Sequence, residues 1–218
     1  MSRPSPHLPV KPFVGIITSA TALIDEVRPI LCEQLGEIDH ESPLLDFDFT
    51  DYYEPEMGRS LKRKFLSFSR LISPEELPEL KLWTNGLEAR YAGEPPAWRP
   101  LADGRAGPHA AVCAVGQAPV PHDTADGIDA TCTARPVTGR RINLDPGYVT
   151  QAKVVLATAK DFSHRIYLRD GIYAEVTLKY GKGTFHPWPW TFPDYRQESY
   201  ISFFNAMRAA LKSARDHA

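Results

Sequence analysis

Three groups of polar residues have types and spacings that could do chemistry. In R-I-N-L-D-P-G-Y, Arg141 to Tyr148, Asn143 and Asp145 lie two apart, so a strand carries them on one face. Pro146-Gly147 reads as a turn that ends this strand, with an amide and a carboxylate side by side. Asp145 bonding only to the turn backbone is the plainer alternative. In T-D-Y-Y-E-P-E-M-G, Thr50 to Gly58, the carboxylates of Asp51, Glu54 and Glu56 crowd together. Like charges that close repel unless a cation sits among them. Mg²⁺ takes such oxygens together with substrate phosphates, so Asp51, Glu54 and Glu56 are candidate metal ligands. An acidic turn fits the same residues. Lys81, Thr84, Asn85 and Glu88 recur at helical spacing and share one face. A solvated face with a weak ion pair is the bland reading. Gly86 is odd in a helix interior and suggests a close approach.

A fourth candidate is Glu175. In G-I-Y-A-E-V-T-L the alternation puts Ile172, Ala174, Val176 and Leu178 on one face and Tyr173, Glu175 and Thr177 on the other. A carboxylate in so apolar a strand needs a cation, and Lys160 or Arg165 could supply it. A structural ion pair satisfies the same pattern. In Y-G-K-G-T-F, two glycines flank Lys182, as in a loop approaching a phosphate or in a plain turn.

These residues must be positioned by the elements around them. P-F-V-G-I-I-T-S reads as a buried strand, followed by a helix over about 21–35 with Leu23, Ile24, Val27, Ile30, Leu31 and Leu35 inward and Gly36 as its stop. Pro29 predicts a kink or two shorter pieces. L-L-D-F-D-F-T-D-Y-Y-E and K-R-K-F-L-S-F-S-R-L-I alternate with period two and predict two strands. Ser73, Pro74 and Glu76 form a capping box that opens a helix running to about Tyr91. Residues 93–139, rich in Pro, Gly and Ala, read as a disordered insertion. Cys113, Cys132, His109 and His122 fall in it at no zinc-site spacing. Strands follow at R-I-N-L-D and V-V-L-A-T-A-K. R-I-Y-L and G-I-Y-A-E-V-T-L-K-Y form a hairpin around Asp170-Gly171. After an aromatic-proline loop, a helix runs from near Pro193 to about Ala214. The order predicts an α+β chain: an extended N-terminal arm over 1–11, then one domain over 12–218 with a ferredoxin-like βαββαβ core, an added β-hairpin and a C-terminal helix.

The totals exclude some function classes. The chain has 218 residues and a formal net charge of -2, so no global field recruits DNA or an acidic membrane. No apolar run is long enough to span a bilayer, and the proline-rich start does not read as a signal peptide. Three widely spaced cysteines make no disulfide framework. The expectation is a cytoplasmic protein. P-loop, G-x-G-x-x-G, H-E-x-x-H and G-x-S-x-G motifs are missing.

The chain resembles a bacterial family, domain-of-unknown-function family 4416. The likeness is carried by T-D-Y-Y-E-P-E-M-G at 50–58, K-x-x-T-N-x-x-E at 81–88, R-x-I-N-L-D-P-G-Y at 140–148, R-I-Y-L and G-I-Y-A-E-V-T-L at 165–178, and W-T-F-P-D-Y-R at 190–196. It covers about 12–92 and 140–212. Members are sometimes labelled GTP-binding, so the resemblance implies a nucleotide ligand. Four functions compete. The first is binding of a nucleotide, GTP included, or another phosphorylated small ligand. Lys81, Lys160, Arg165 and Arg196 would hold the anion, Tyr53 and Tyr148 would stack a base, and Asn85, Glu88 and Asn143 would add polar contacts. The second is an Mg²⁺-dependent enzyme acting on a phosphate ester, with Glu54, Glu56, Asp145 and Glu175 as catalytic carboxylates. The third is an RNA-contacting module, which the acidic balance and the lack of an RNP-type motif oppose. The fourth is an assembly module using the W-P-W-T-F-P loop.

Overall fold

The computed structural model describes residue 3, residues 6–92 and residues 139–216. Apart from Gly139, the expected insertion at 93–139 lies outside the described residues, and so do its Cys and His residues. The chain is α+β. Strand β1 (Lys11–Thr18), buried throughout, leads into helix α1 (Ala22–Leu35). Strands β2 (Ile38–Glu41) and β3 (Leu45–Asp46) follow, then a 3-10 turn at Asp51–Tyr53 that runs into helix α2 (Glu54–Met57). Strand β4 (Lys62–Phe68) precedes a 3-10 turn at Pro74–Glu76 and helix α3 (Leu77–Arg90). The second half holds β5 (Ile142–Val149), β6 (Lys153–Thr158), β7 (Ile166–Arg169), β8 (Ile172–Gly181) and β9 (Thr184–Pro187). A 3-10 turn at Pro193–Arg196 and helix α4 (Glu198–Asp216) complete it. Among the described residues no helix is long and apolar enough to cross a membrane.

Among the described residues the strands form one nine-stranded antiparallel sheet in the order β2-β4-β1-β5-β6-β8-β7, with β3 added to β4 and β9 to β8. Alternation along the central strands sends Val14, Ile16, Ile142 and Leu144 to one face, under α1 and α3. It sends Phe13, Phe65, Val154 and Leu156 to the other, under α4. The capping box at Ser73 and Glu76 and the tight hairpin at Asp170-Gly171, both residues at positive φ, form as expected.

Several expectations are corrected. The helix around Pro29 is one element, α1, and not two shorter pieces. The strand expected over 45–53 is reduced to Leu45–Asp46. Thr50 caps the next turn by accepting from the Tyr52 N–H, and Pro55 suits the start of α2. The aromatic alternation there serves packing rather than a ladder: Phe47 joins Ile17, Met57 and Leu61 in a small cluster and meets Phe49 and Tyr53 edge-on. What remains of the expected strand, β3, still pairs with β4 at Leu45–Arg63 and Asp46–Lys62, and β2, four residues of mostly polar sequence, extends the same edge of β4. Lys182 and Gly183, both at positive φ, make the hairpin turn between β8 and β9. An irregularity between Val154 and Val155 sets Val155 opposite Val176, leaving Thr177 extra. Leu178 therefore turns to the α4 face, against the strict alternation.

The β2 edge gives a pH prediction. Arg28 donates to both oxygens of Glu41 at 2.7 and 3.0 Å, and Lys64 lies 2.9 Å away. The Arg28 hydrogen bonds, opposed by burial and helped by Lys64, hold the Glu41 carboxyl down at about 2. The folded value lies below the unfolded one, roughly 4.3. The contribution of Glu41 is thus complete above the unfolded value and lost as pH falls toward the folded one. Glu41→Gln is expected to flatten the acid limb of the stability curve in that window. Urea denaturation at several acidic pH values, with equal slopes for both proteins, would contradict it.

Candidate functional site

The site begins with a defect in the sheet. Strands β5 and β6 pair only at Gly147–Leu156, Tyr148–Val155 and Val149–Val154. Leu144 and Pro146 share the strand parity that turns backbone groups toward β6, and Pro146 has no N–H to give. The ladder stops there and the two strands part. Pro146-Gly147 is therefore not the expected turn: β5 runs through it to Val149. The vacated edge of Leu144 is taken by α3. Its N–H donates to Glu88 Oε1 at 2.6 Å, and its carbonyl accepts from Lys81 Nζ at 2.8 Å. Two side chains thus replace a missing strand, which accounts for the burial of Lys81, Thr84 and Glu88. The solvated-face reading is overturned for Lys81, Thr84 and Glu88, three of the four residues of that helical group. Gly86 meets no close neighbour.

Asp145, on the α4 face of β5, joins this plug to a second set of groups. Lys81 Nζ lies 3.6 Å from its Oδ1. The Asn143 amide donates to Oδ2 at 2.7 Å, and Arg63 Nη1 at 3.1 Å. Arg63 is 2% exposed, donates to the Tyr195 hydroxyl at 2.7 Å, and lies 3.9 Å from Asp194. Arg140 extends the network: it donates to Asn143 Oδ1 at 2.9 Å, lies 3.0 Å from Glu56, and sits over the Tyr53 ring. The burial separates the carboxylates. Burial pushes Asp145 up, but Lys81, Arg63 and the Asn143 amide outweigh it and hold it low. Burial wins at Glu88, despite Lys81 and the Leu144 N–H, and at Asp194, despite Arg63. The network thus pulls the three carboxyls apart, Asp145 downward and Glu88 and Asp194 upward.

A second cluster sits across the gap. Glu175, opposite Leu156 and 3% exposed, accepts from Arg165 Nε at 2.9 Å and from Thr177 Oγ1 at 3.4 Å. His164 Nε2 lies 3.3 Å from it. Arg165, and not Lys160, is therefore the cation that Glu175 requires. Lys160 instead caps Tyr52, bonded to its hydroxyl and 3.9 Å from its ring centroid. Tyr52 packs edge-on against Tyr53, and Arg165 Nη1 donates to the Lys160 carbonyl at 3.0 Å. Contacts thus run without a break from Glu175 through Arg165, Lys160, Tyr52, Tyr53, Arg140 and Asn143 to Asp145.

Of the residues singled out in the sequence, the fold brings together Tyr53, Glu56, Lys81, Glu88, Asn143 and Asp145, with Lys160, Arg165 and Glu175 beside them. Others stand apart. Arg196 donates to the carbonyls of Trp188, Pro189 and Thr191 and braces the aromatic loop. Tyr148 packs among the apolar residues under α3. Asn85 is half-buried on α3. Glu54 faces Arg59 at 3.5 Å. Asp51 and Glu54 line a shallow acidic hollow of about 240 Å³ with Asp46 and Asp48. Among the described residues no three His, Cys, Asp or Glu side chains are grouped to hold a metal ion, and Asp51, Glu54 and Glu56 form no ligand set. Residues that the sequence reading missed are Arg63, Arg140, His164, Asp194 and Tyr195. Arg63 carried a signal: in K-R-K-F it shares the strand parity of Phe65, on the apolar side.

The model of one protein family, described as Domain of unknown function (DUF4416), matches residues 8–96 and 125–210. No curated protein and no solved structure matches the chain.

Proposed function

We infer that this chain, which belongs to the DUF4416 family, binds a phosphorylated small ligand, a nucleotide such as GTP by preference, over the gap between β5 and β6. One observation carries the reading. Arg63, Lys81, Arg140, Lys160 and Arg165, from four separate parts of the chain, are drawn to this one gap beside the rings of Tyr52 and Tyr53. Arginine forks and a lysine ammonium suit phosphate oxygens, and the half-exposed Glu56 is a carboxylate that a phosphate could displace from Arg140. The metal-dependent alternative has less support, because Glu56 and Glu175 are each engaged by arginine. The strand order β2-β4-β1-β5 around α1 and α3 supports reading this half of the domain as ferredoxin-like. Cys32, a free thiol, fits a reducing cytoplasmic setting.

A thermal-shift series with GTP, ATP, sugar phosphates and inorganic phosphate, each with and without Mg²⁺, tests the proposal. A ligand at a hundred times its Kd stabilises by about 2.7 kcal/mol. A nucleotide is expected to raise the melting temperature of the native chain, and Lys160→Ala and Arg140→Ala to lose most of that rise. No shift with any phosphorylated compound, or equal shifts in both variants, overturns it.

A further inference from the structure

We propose that His164 is a proton acceptor at this site and that the chain hydrolyses a phosphoester or phosphoanhydride with an acidic leaving group; this rests on the ligand reading above. Glu175 is buried in the sheet, and Arg165 alone meets its need for a cation, at 2.9 Å. The second contact, from His164 Nε2 at 3.3 Å, is surplus to charge balance. It does fix an imidazole. A carboxylate accepts, so in the neutral ring Nε2 carries the proton and Nδ1 keeps its lone pair. Nδ1 has no hydrogen-bond partner among the described residues. The ring is held on both sides, stacked on Trp190 at 5.7 Å and met edge-on by Phe162 at 5.2 Å. Trp190 is in turn stacked on Trp188, so the ladder is stiff. The side chain stays 16% exposed, on the same short loop that carries Lys160.

A base held by a buried carboxylate is the orienting half of a nucleophile-activating pair. Here the nucleophile is water. Nδ1 takes a proton from it as its oxygen bonds to phosphorus, and the bond from phosphorus to the leaving oxygen breaks. The electron pair departs with that oxygen, which needs no proton when its acid is strong, and the imidazolium returns its proton to solvent. Lys160, on the same loop, and Arg165, which shares Glu175 with His164, would offset the charge that gathers on the phosphoryl oxygens. Glu175 is a positioning residue.

The test uses the full chain with GTP and with 4-nitrophenyl phosphate, following phosphate release across pH together with the thermal shift from each compound. The wild-type chain is expected to release phosphate from both compounds. Release should fall about 100-fold in His164→Gln, while GTP still shifts the variant's melting temperature. Nitrogen-15 NMR of the wild-type chain is expected to show the Nε2–H tautomer at His164, and Glu175→Gln to weaken that preference as well as the rate. A thermal shift without phosphate release, unchanged release in His164→Gln, or an Nδ1–H tautomer in the wild-type chain overturns the inference and leaves binding standing. No shift and no release with either compound overturns both.

Discussion

Arg63→Ala is expected to destabilise the domain by about 3–5 kcal/mol, the cost of removing one partner from a buried charge cluster. The reason is what remains behind. Asp145 would lose its 3.1 Å partner, and Asp194 would lose the main attraction opposing its burial. The Tyr195 hydroxyl would lose its donor. The guanidinium also lies 4.6 Å from the Phe65 centroid and 5.4 Å from that of Tyr195, so its removal opens space in the aromatic cluster under α4. Lysine is not expected to rescue, because a point charge cannot serve Asp145 and Tyr195 together. The double variant Arg63→Ala with Asp145→Asn should recover part of the loss, since the stranded charge goes with its partner. Urea midpoints for the four proteins of that cycle measure it. A loss below about 1 kcal/mol in Arg63→Ala would mean that water replaces the guanidinium and that the cluster is not a closed network.

Much of the frame was legible because local chemistry and global fold agree there. The Ser73–Glu76 capping box, the Asp170-Gly171 hairpin and the apolar stripe of α1 each state their own structure. The failures have a common cause: tertiary contacts outvoted local preference. Phe47 and Phe49 alternate like strand residues but pack on one another and on a 3-10 turn. Pro146-Gly147 reads as a turn because the local rule ignores what lies on either side; here the proline ends one ladder and the glycine admits a ring. The site was legible in its members and not in its logic. Asn143, Asp145, Lys81 and Glu88 stood out as polar residues at meaningful spacings. That Lys81 and Glu88 stand in for a strand depends on a gap that a single segment cannot reveal. Arg63 and His164 were missed because each lies in a segment whose obvious feature is something else, a basic strand and a loop.

Gly147→Ala is the substitution that should damage the gap most directly. A Cβ at Gly147 would lie 2.4 Å from the Val155 carbonyl oxygen and 2.5 Å from Phe13 Cζ. Neither neighbour can give way cheaply. Val155 belongs to the three-pair ladder that alone joins β5 to β6. Phe13 is fixed by Phe204 at 5.0 Å and Phe65 at 6.0 Å in the most aromatic part of the core. The added methyl must therefore either part the ladder or move a buried ring, an overpacking cost of about 3 kcal/mol. Gly86→Ala is the control for glycine removal as such. It meets nothing within 4 Å on an exposed turn of α3, so it should stabilise by about 0.5–1 kcal/mol. Opposite signs in urea denaturation are the expected result; a neutral Gly147→Ala would mean that β6 is free to slide. Because Lys81 and Glu88 are aimed at Leu144 only while β5 keeps its place, loss of the ladder should also abolish nucleotide stabilisation in whatever fraction of Gly147→Ala still folds.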